Sequence, residues 1–334
     1  MRRLPGERIL AALLVVGLVG CSSEIVGDDD VDAPVTLAFV SPAPGSAHVR
    51  DTIEASIGAR VAAVGIELTI AGTPAAIELA ADDVALGALD PSGLGTALLP
   101  ALGTTTITAT ARDAAGEVVA TASVDVDVIE PELADCRAWL DLYGATYTVG
   151  PARDGVADPV TITTPINGLR YRYSANTAPR ATFFMDCSLA LSLLEAAPHL
   201  RARGVVEVVD IGVYNYRCIG TGTPPDCPSG MSQHAYAKGI DIAGLTTADG
   251  TFYSVNDDWV IDPASEKTCE AATSNEKDAY LHEAICALKR NRVWNIVLTP
   301  NYNAAHRNHF HVDLTAGSDF IRGRGGVDEG PDHH

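Results

Sequence analysis

The polarity pattern of the chain changes character near residue 130. Before that point β-branched residues alternate with small or polar ones. Residues 105–111 (Thr-Thr-Ile-Thr-Ala-Thr-Ala) and 120–128 (Ala-Thr-Ala-Ser-Val-Asp-Val-Asp-Val) keep a period of two, which sends alternate side chains to opposite faces of a strand. Turn-forming residues Asp113-Ala114-Ala115-Gly116 separate them, so the pair predicts a hairpin. Residues 55–57 and 65–70 predict further strands, and Ser41-Pro42-Ala43-Pro44-Gly45 closes the first one. After Pro131 the pattern mixes. Apolar residues recur at helical spacing over 132–143, 186–203 and 275–291, whereas 205–212, 239–243, 293–298 and 309–314 read as strands. An α+β domain over 131–320 with a small antiparallel sheet follows. The Gly-rich, charged stretch 321–334 predicts a disordered tail in which the terminal His333-His334 pair is incidental.

The first apolar run, residues 9–20, follows Arg2, Arg3 and Arg8. It is too short to span a bilayer and suits the apolar region of a signal peptide. It ends in Leu18-Val19-Gly20-Cys21, which resembles the lipobox of bacterial lipoproteins. That resemblance implies a signal over 1–20, lipidation at Cys21 and membrane attachment through the lipid, with 21–34, including Asp28-Asp29-Asp30, as a flexible tether. The expected location is the cell envelope, at the periplasmic face of the outer membrane. Residues 35–130 resemble the immunoglobulin-like β-sandwich modules of bacterial surface proteins. They hold one aromatic residue, Phe39, one histidine, His48, and no lysine or cysteine, so this module reads as a spacer or binding platform rather than a site of chemistry.

Length and composition agree with two globular domains. The chain has 334 residues, 47% of them apolar and 20% charged, and domains average roughly 150 residues. A net charge of −20 sets the protein against nucleic acid, whose phosphates repel it. Without Cys21, six cysteines remain: Cys136, Cys187, Cys218, Cys227, Cys269 and Cys286. An even number in an exported chain predicts disulfides, and no C-x-x-C pair supports a cysteine zinc site. Sequential pairing, Cys136 with Cys187, Cys218 with Cys227 and Cys269 with Cys286, is favoured because short loops close at the smallest entropy loss.

Chemistry concentrates at two places in the second domain. In His306-Arg307-Asn308-His309-Phe310-His311-Val312-Asp313-Leu314, a strand projects His309, His311 and Asp313 from one face and Phe310, Val312 and Leu314 toward the core. Upstream, Ser232-Gln233-His234 leads into Gly239-Ile240-Asp241-Ile242-Ala243. Two histidines and one aspartate give three ligands with a fourth position for water, the pattern of catalytic zinc.

The order of these pieces resembles the D-Ala-D-Ala-peptidase-like metallopeptidases that cut peptidoglycan stem peptides: Ser-x-His, an Asp seven residues later, then a distant His-x-His. More closely, residues 132–316 resemble the bacterial extensin-like C-terminal domain family. The matching pieces are Cys136, Cys187, Tyr214-Asn215-Tyr216-Arg217-Cys218, Ser232-Gln233-His234-Ala235, Gly239-Ile240-Asp241-Ile242-Ala243, Ala248-Asp249-Gly250, Asp258-Trp259 and Leu298-Thr299-Pro300 before the histidine segment. The resemblance implies Zn2+ held by His234, Asp241 and His311, with His309 beside the attacking water and Arg217 contacting a carboxylate or oxyanion. Asp313, His306 and Ser232 would support these groups. The implied activity is hydrolysis of amide bonds in cell-wall peptides. Two departures stand out. The peptidase relatives usually carry Gly and Ala where this chain has Ala237 and Gly239. Asn308 occupies a position where some relatives place a carboxylate base, which leaves a non-catalytic wall-binding lipoprotein that keeps the metal as the alternative.

Overall fold

The structure, a computed structural model, describes residues 34–54, 56, 58–261 and 268–322. The signal, Cys21, nearly all of the tether, His333 and His334 lie outside the described residues. In the first domain β1 (Thr36–Ser41), β3 (Thr52–Glu54) and β7 (Leu94–Leu99) all pair antiparallel with β4 (Ala59–Ala71). The second sheet has the order β2-β9-β8-β5-β6, formed by β2 (Ser46–Val49), β5 (Ala76–Ala81), β6 (Val84–Ala88), β8 (Gly103–Arg112) and β9 (Val118–Ile129). Val64, Ile66 and Leu68 of β4 face Ile107 and Ala109 of β8 and Val126 of β9 in one core, so the two sheets form a sandwich. On the outer face Thr104 and Thr106 donate to Asp127 and Asp125, each at 2.7 Å, and tie β8 to β9 across the strands. The predicted hairpin turns through Gly116 at φ +85°, where Asp113 accepts backbone hydrogen bonds from Ala115 and Glu117. The strand expected at 55–57 is displaced: β3 ends at Glu54, Ser56 sits in a turn, and Ala55 and Ile57 lie outside the described residues.

The sandwich is not a free spacer. Arg60 of β4, its side chain 8% exposed, ion-pairs with Glu130 and with Glu195 of the second domain, 3.0 Å away. Its Nε donates to the Tyr143 hydroxyl at 3.1 Å, and its guanidinium lies 4.5 Å over the Trp139 ring. Gly58 at φ +71° brings its carbonyl to the Asn167 amide, which donates at 2.7 Å. A side chain on Gly58 would collide with Asn167 Oδ1 at 2.2 Å.

Among the described residues the second domain contains four α-helices: α1 (Cys136–Leu142), α2 (Cys187–Arg201), α3 (Val255–Asp258) and α4 (Glu276–Arg290). A three-stranded sheet joins β10 (Tyr147–Val149), β11 (Pro159–Thr163) and β13 (Thr182–Asp186). The larger sheet joins β12 (Arg170–Tyr173), β14 (Val205–Gly212), β15 (Gly239–Thr247), β18 (Phe310–Asp313), β17 (Ile296–Leu298) and β19 (Phe320–Arg322) in that spatial order, with β16 (Phe252–Ser254) also on β15. This corrects the expectation of a small antiparallel sheet. Among the described residues it has seven strands and is mixed, because β12 runs parallel to β14 and β19 parallel to β17. Both added edges are too short to leave a periodic signal. The tail is corrected too, since Ile321 and Arg322 belong to β19 and Ile321 is buried against the core.

Helices begin where the sequence supplies caps. Asp186 accepts from Ser188 N at α2, and Asn275 accepts from Lys277 N and Asp278 N at α4. Leu189, Leu193 and Ala197 of α2 and Leu281, Ile285 and Leu288 of α4 cover one face of the sheet, against Ile240, Ile242, Phe310 and Val312. The opposite face of β15 and β18 is thereby left for polar groups. No helix among the described residues is long and apolar enough to cross a membrane.

The three disulfides join sequence neighbours as expected, Cys136–Cys187, Cys218–Cys227 and Cys269–Cys286. The second closes the loop that precedes His234. Replacing Cys218 and Cys227 together with serine is expected to lower unfolding free energy by about 2–3 kcal/mol, the loop-closure value for a short ring. Urea unfolding of the oxidised protein checks this, and an unchanged midpoint contradicts it.

Candidate metal centre

Asp241 and His311 are direct cross-strand partners in the β15–β18 pair, so their side chains share the face away from the helices. His234 arrives from a 3-10 turn over Gln233–Tyr236 that runs into β15. Ser232 caps this turn, its hydroxyl accepting from His234 N at 3.3 Å. Ala237 ends it at φ +52°, ψ 31°, in the left-handed region. Two residues on, a Cβ at Gly239 would press on His311 Cε1 and Asp313 Cβ at 3.3 Å. Glycine at 239 thus leaves the ring of His311 its space, and the left-handed strain falls at Ala237. Ala237→Gly is expected to change stability by less than about 1 kcal/mol, because relief of left-handed strain is offset by glycine's entropy and by loss of a fully buried methyl. Denaturant titration measures the change.

His234 Nε2, Asp241 Oδ1 and His311 Nδ1 form a triangle with edges of 3.1, 2.8 and 3.1 Å. The outer ring nitrogens fix which atoms carry protons. His234 Nδ1 lies 2.7 Å from the Val213 carbonyl, an acceptor only, and so donates to it. His311 Nε2 lies 2.9 Å from Asp313 Oδ2 and donates there. Both inward nitrogens are then lone pairs pointed at a carboxylate oxygen, an arrangement that repels itself unless a positive charge sits among them. Burial alone would raise Asp241 and lower His311. Their mutual hydrogen bonds, with those to His234 and Asp313, outweigh burial, holding Asp241 well below the usual carboxylate range and pushing His311 up to about 9. The site is thus built for a cation, and a proton on His311 supplies that charge where no metal is bound. The donor set fits zinc: tetrahedral bonds of about 2.0–2.1 Å separate ligand atoms by about 3.3 Å, so the triangle need open by only a few tenths of an ångström. Asp313 and the Val213 carbonyl supply the outer hydrogen bonds that metal-binding imidazoles normally make. A second grouping, Cys136, Asp158 and Cys187, is not available to a metal because its two cysteines are joined.

His309 stands beside the triangle, its Nε2 3.4 Å from Asp241 Oδ1. Its Nδ1 lies 2.9 Å from Asn308 Oδ1 and donates to it, which leaves Nε2 as the free lone pair. Burial, followed by the charges of His311, His234 and Arg217, lowers its pKa against the opposing pull of Asp241. Sequence reasoning treated Asn308 only as a missing carboxylate and overlooked this orienting bond. His306 is half-buried beside both His309 and His311, its ring centre 5.8 Å from that of His311. Its Nδ1 is bound to Asn303 Oδ1 at 2.8 Å, and its ring centre lies 5.2 Å from that of His309. Burial and the neighbouring histidines push it down to about 4. Arg217 is exposed on the loop before Cys218, close enough for its charge to lower both His306 and His309.

A β-sandwich docked on a helix-backed mixed sheet, with two histidines and a carboxylate converging on the sheet's open face, defines a class of two-domain protein with a metal-type centre. Within it the chain belongs to the family described as Extensin-like protein C-terminus, whose sequence model matches residues 135–322, more than half of the chain. No curated protein matches. Among solved structures, fibronectin(III)-like modules of Clostridium thermocellum CbhA are 14% identical with a TM-score of 0.23, covering 29% of this chain and 99% of theirs. The SGBP-B protein of a Bacteroides ovatus mixed-linkage glucan utilization locus is 12% identical with a TM-score of 0.21, covering 75% of this chain and 52% of that one. Bacteroides uniformis β-glucuronidase 3 is 13% identical with a TM-score of 0.22, covering 40% of this chain and only 15% of its own. At those scores they carry no argument about this chain.

Proposed function

We propose that the α+β domain is a zinc-dependent peptidase-like domain that hydrolyses amide bonds in peptidoglycan stem peptides, carried on an exported lipoprotein. The observation that supports it most is the triangle of lone pairs from His234, Asp241 and His311, each imidazole oriented from behind by a hydrogen bond. His234, Asp241 and His311 would hold Zn2+, which when bound would supply Lewis acidity toward a scissile carbonyl and toward water. His309 Nε2, oriented by Asn308, takes a proton from the attacking water and returns it to the leaving amine. Arg217 offers a planar donor fork to a substrate carboxylate or to the developing oxyanion. Ser232 acts indirectly, by holding the turn that carries His234.

The test is incubation of the zinc-loaded protein with purified peptidoglycan and mass spectrometry of the released fragments. New amine and carboxyl termini in the stem peptides are expected, and intact peptidoglycan refutes hydrolysis. The carboxamide of Asn308, where a carboxylate base would stand, favours a second reading as a wall-binding lipoprotein that retains its metal without turnover. Sedimentation with peptidoglycan in the absence of cleavage identifies that case.

Membrane attachment through acylated Cys21 belongs to the same proposal and rests on the Leu18-Val19-Gly20-Cys21 sequence. Stable anchoring needs more than one acyl chain, as lipoprotein cysteines carry. Cys21→Ser, expressed in a Gram-negative host, is expected to leave the membrane fraction and to lose the mass of the lipid. Unchanged fractionation and mass contradict it.

A further inference from the structure

The open face of the large sheet continues past the metal centre. Ala243 follows Asp241 on the same face of β15, and Val209 and Ile211 of β14 extend this surface into the floor of a groove of about 450 Å3. Arg172, Ser174, Phe252, Ser254, Asn256 and Asn308 also line it. Asn308 lines the groove and accepts from His309 Nδ1, so the groove lies next to the centre. Its volume is within the range of roughly 300–1,000 Å3 typical of ligand sites, and the apolar side chains of Val209, Ile211 and Ala243 can pack on the aliphatic parts of a peptide.

The polar rim indicates which peptide. In a chain with 43 acidic and 23 basic residues, those lining the groove include one cation, Arg172, and no aspartate or glutamate. The Arg172 Nε donates to Glu207 Oε1 at 2.9 Å and its Nη1 donates to the Asn176 carbonyl at 3.0 Å. These bonds fix the guanidinium plane, and among the described residues Nη2 makes no hydrogen bond, which leaves that edge for a ligand. Glu207 is buried, so the groove meets an oriented pair of N–H donors rather than the carboxylate beneath them.

We propose that this groove is the subsite for the peptide chain flanking the scissile amide, and that it selects a side-chain carboxylate, received by Arg172 Nη2 and the Ser174 hydroxyl. It stands on the peptidase reading for its relation to the reaction, while binding itself is measured without turnover. The probes are two fluorescein-labelled pentapeptides ending in D-Ala-D-Ala and identical but for one upstream glutamate, free in the first and amidated in the second. Anisotropy titration of the full chain is expected to show about tenfold tighter binding of the free acid, the worth of one charge-assisted hydrogen bond. Ala243→Leu, which fills the floor, is expected to weaken both peptides at least tenfold with zinc content and melting temperature unchanged. Arg172→Gln is expected to abolish discrimination while the amidated peptide binds as before. Equal affinity of the two peptides for the unaltered protein, or unimpaired binding by Ala243→Leu, overturns the proposal. Binding as expected with neither peptide cleaved supports the groove and counts against the peptidase reading alone.

Discussion

Replacing His311 with alanine is expected to reduce bound zinc from about one ion per chain to almost none, and His234→Ala to do the same. Each removes one of three protein ligands, and the remaining pair with water is a poor tetrahedral site. Asp313→Ala is expected to weaken binding by about 10–100-fold without abolishing it, because it removes only the partner that orients His311. The pH dependence follows from His311. With its pKa near 9 in the metal-free protein, the ring holds a proton at pH 7 that zinc must displace. Zinc affinity therefore rises with pH, about tenfold per unit, until the pH passes about 9, and each ion bound at pH 7 releases about one proton from this ring. The metal-free protein shows the opposite trend in stability. A folded-state pKa raised above the unfolded value of about 6.5 contributes stability that is complete below pH 6.5 and is lost as pH rises toward 9. Chelator competition at several pH values and calorimetry in buffers of different ionisation enthalpy measure both effects. Full zinc occupancy in His234→Ala or His311→Ala would remove the metal from this triangle. Metal taken up by His333 and His334 would inflate the count, so occupancy is measured on a chain truncated after Arg322.

How much of this was legible in the sequence depends on the range of the interaction. The polar face of β18 is visible in the alternation of His309, His311 and Asp313 with Phe310 and Val312, because a strand's side-chain period is local. The disulfide pairing is visible because the partners are close in sequence. The Asp241–His311 register is set by non-local pairing, so residue types suggested three ligands while only the family pattern brought them together. The parallel edges β12 and β19 are short, and their partners lie outside any local pattern. The docking of Arg60 between Glu130, Glu195, Tyr143 and Trp139 crosses domains, and nothing around a lone arginine in a strand announces it. Asn308 shows a further limit. Its residue type excluded one role, proton acceptance, but its geometry supplies another.

That geometry leads to the effect expected of His309. His309→Ala is expected to lower peptidase turnover by about 10²–10⁴-fold while zinc content stays near one per chain, because the ring stands beside the triangle and all three ligand atoms remain. The loss belongs in kcat rather than KM, since the proton is moved only as the bond is made and broken. Asn308→Ala removes the acceptor that keeps the proton on Nδ1, so the inward Nε2 is no longer held as the lone pair. A loss of about tenfold is expected, smaller than for the ring itself because the other tautomer interconverts and does not vanish. Asn308→Asp keeps an acceptor on Nδ1 and adds a negative charge that raises the histidine's basicity, so it is expected to retain or increase turnover, as a carboxylate does behind a catalytic imidazole. Steady-state kinetics on a D-Ala-D-Ala-ended peptide, paired with zinc analysis of each variant, separates the cases. Full activity in His309→Ala removes the proton-transfer role, and zinc loss as complete as in His311→Ala makes His309 a fourth ligand instead.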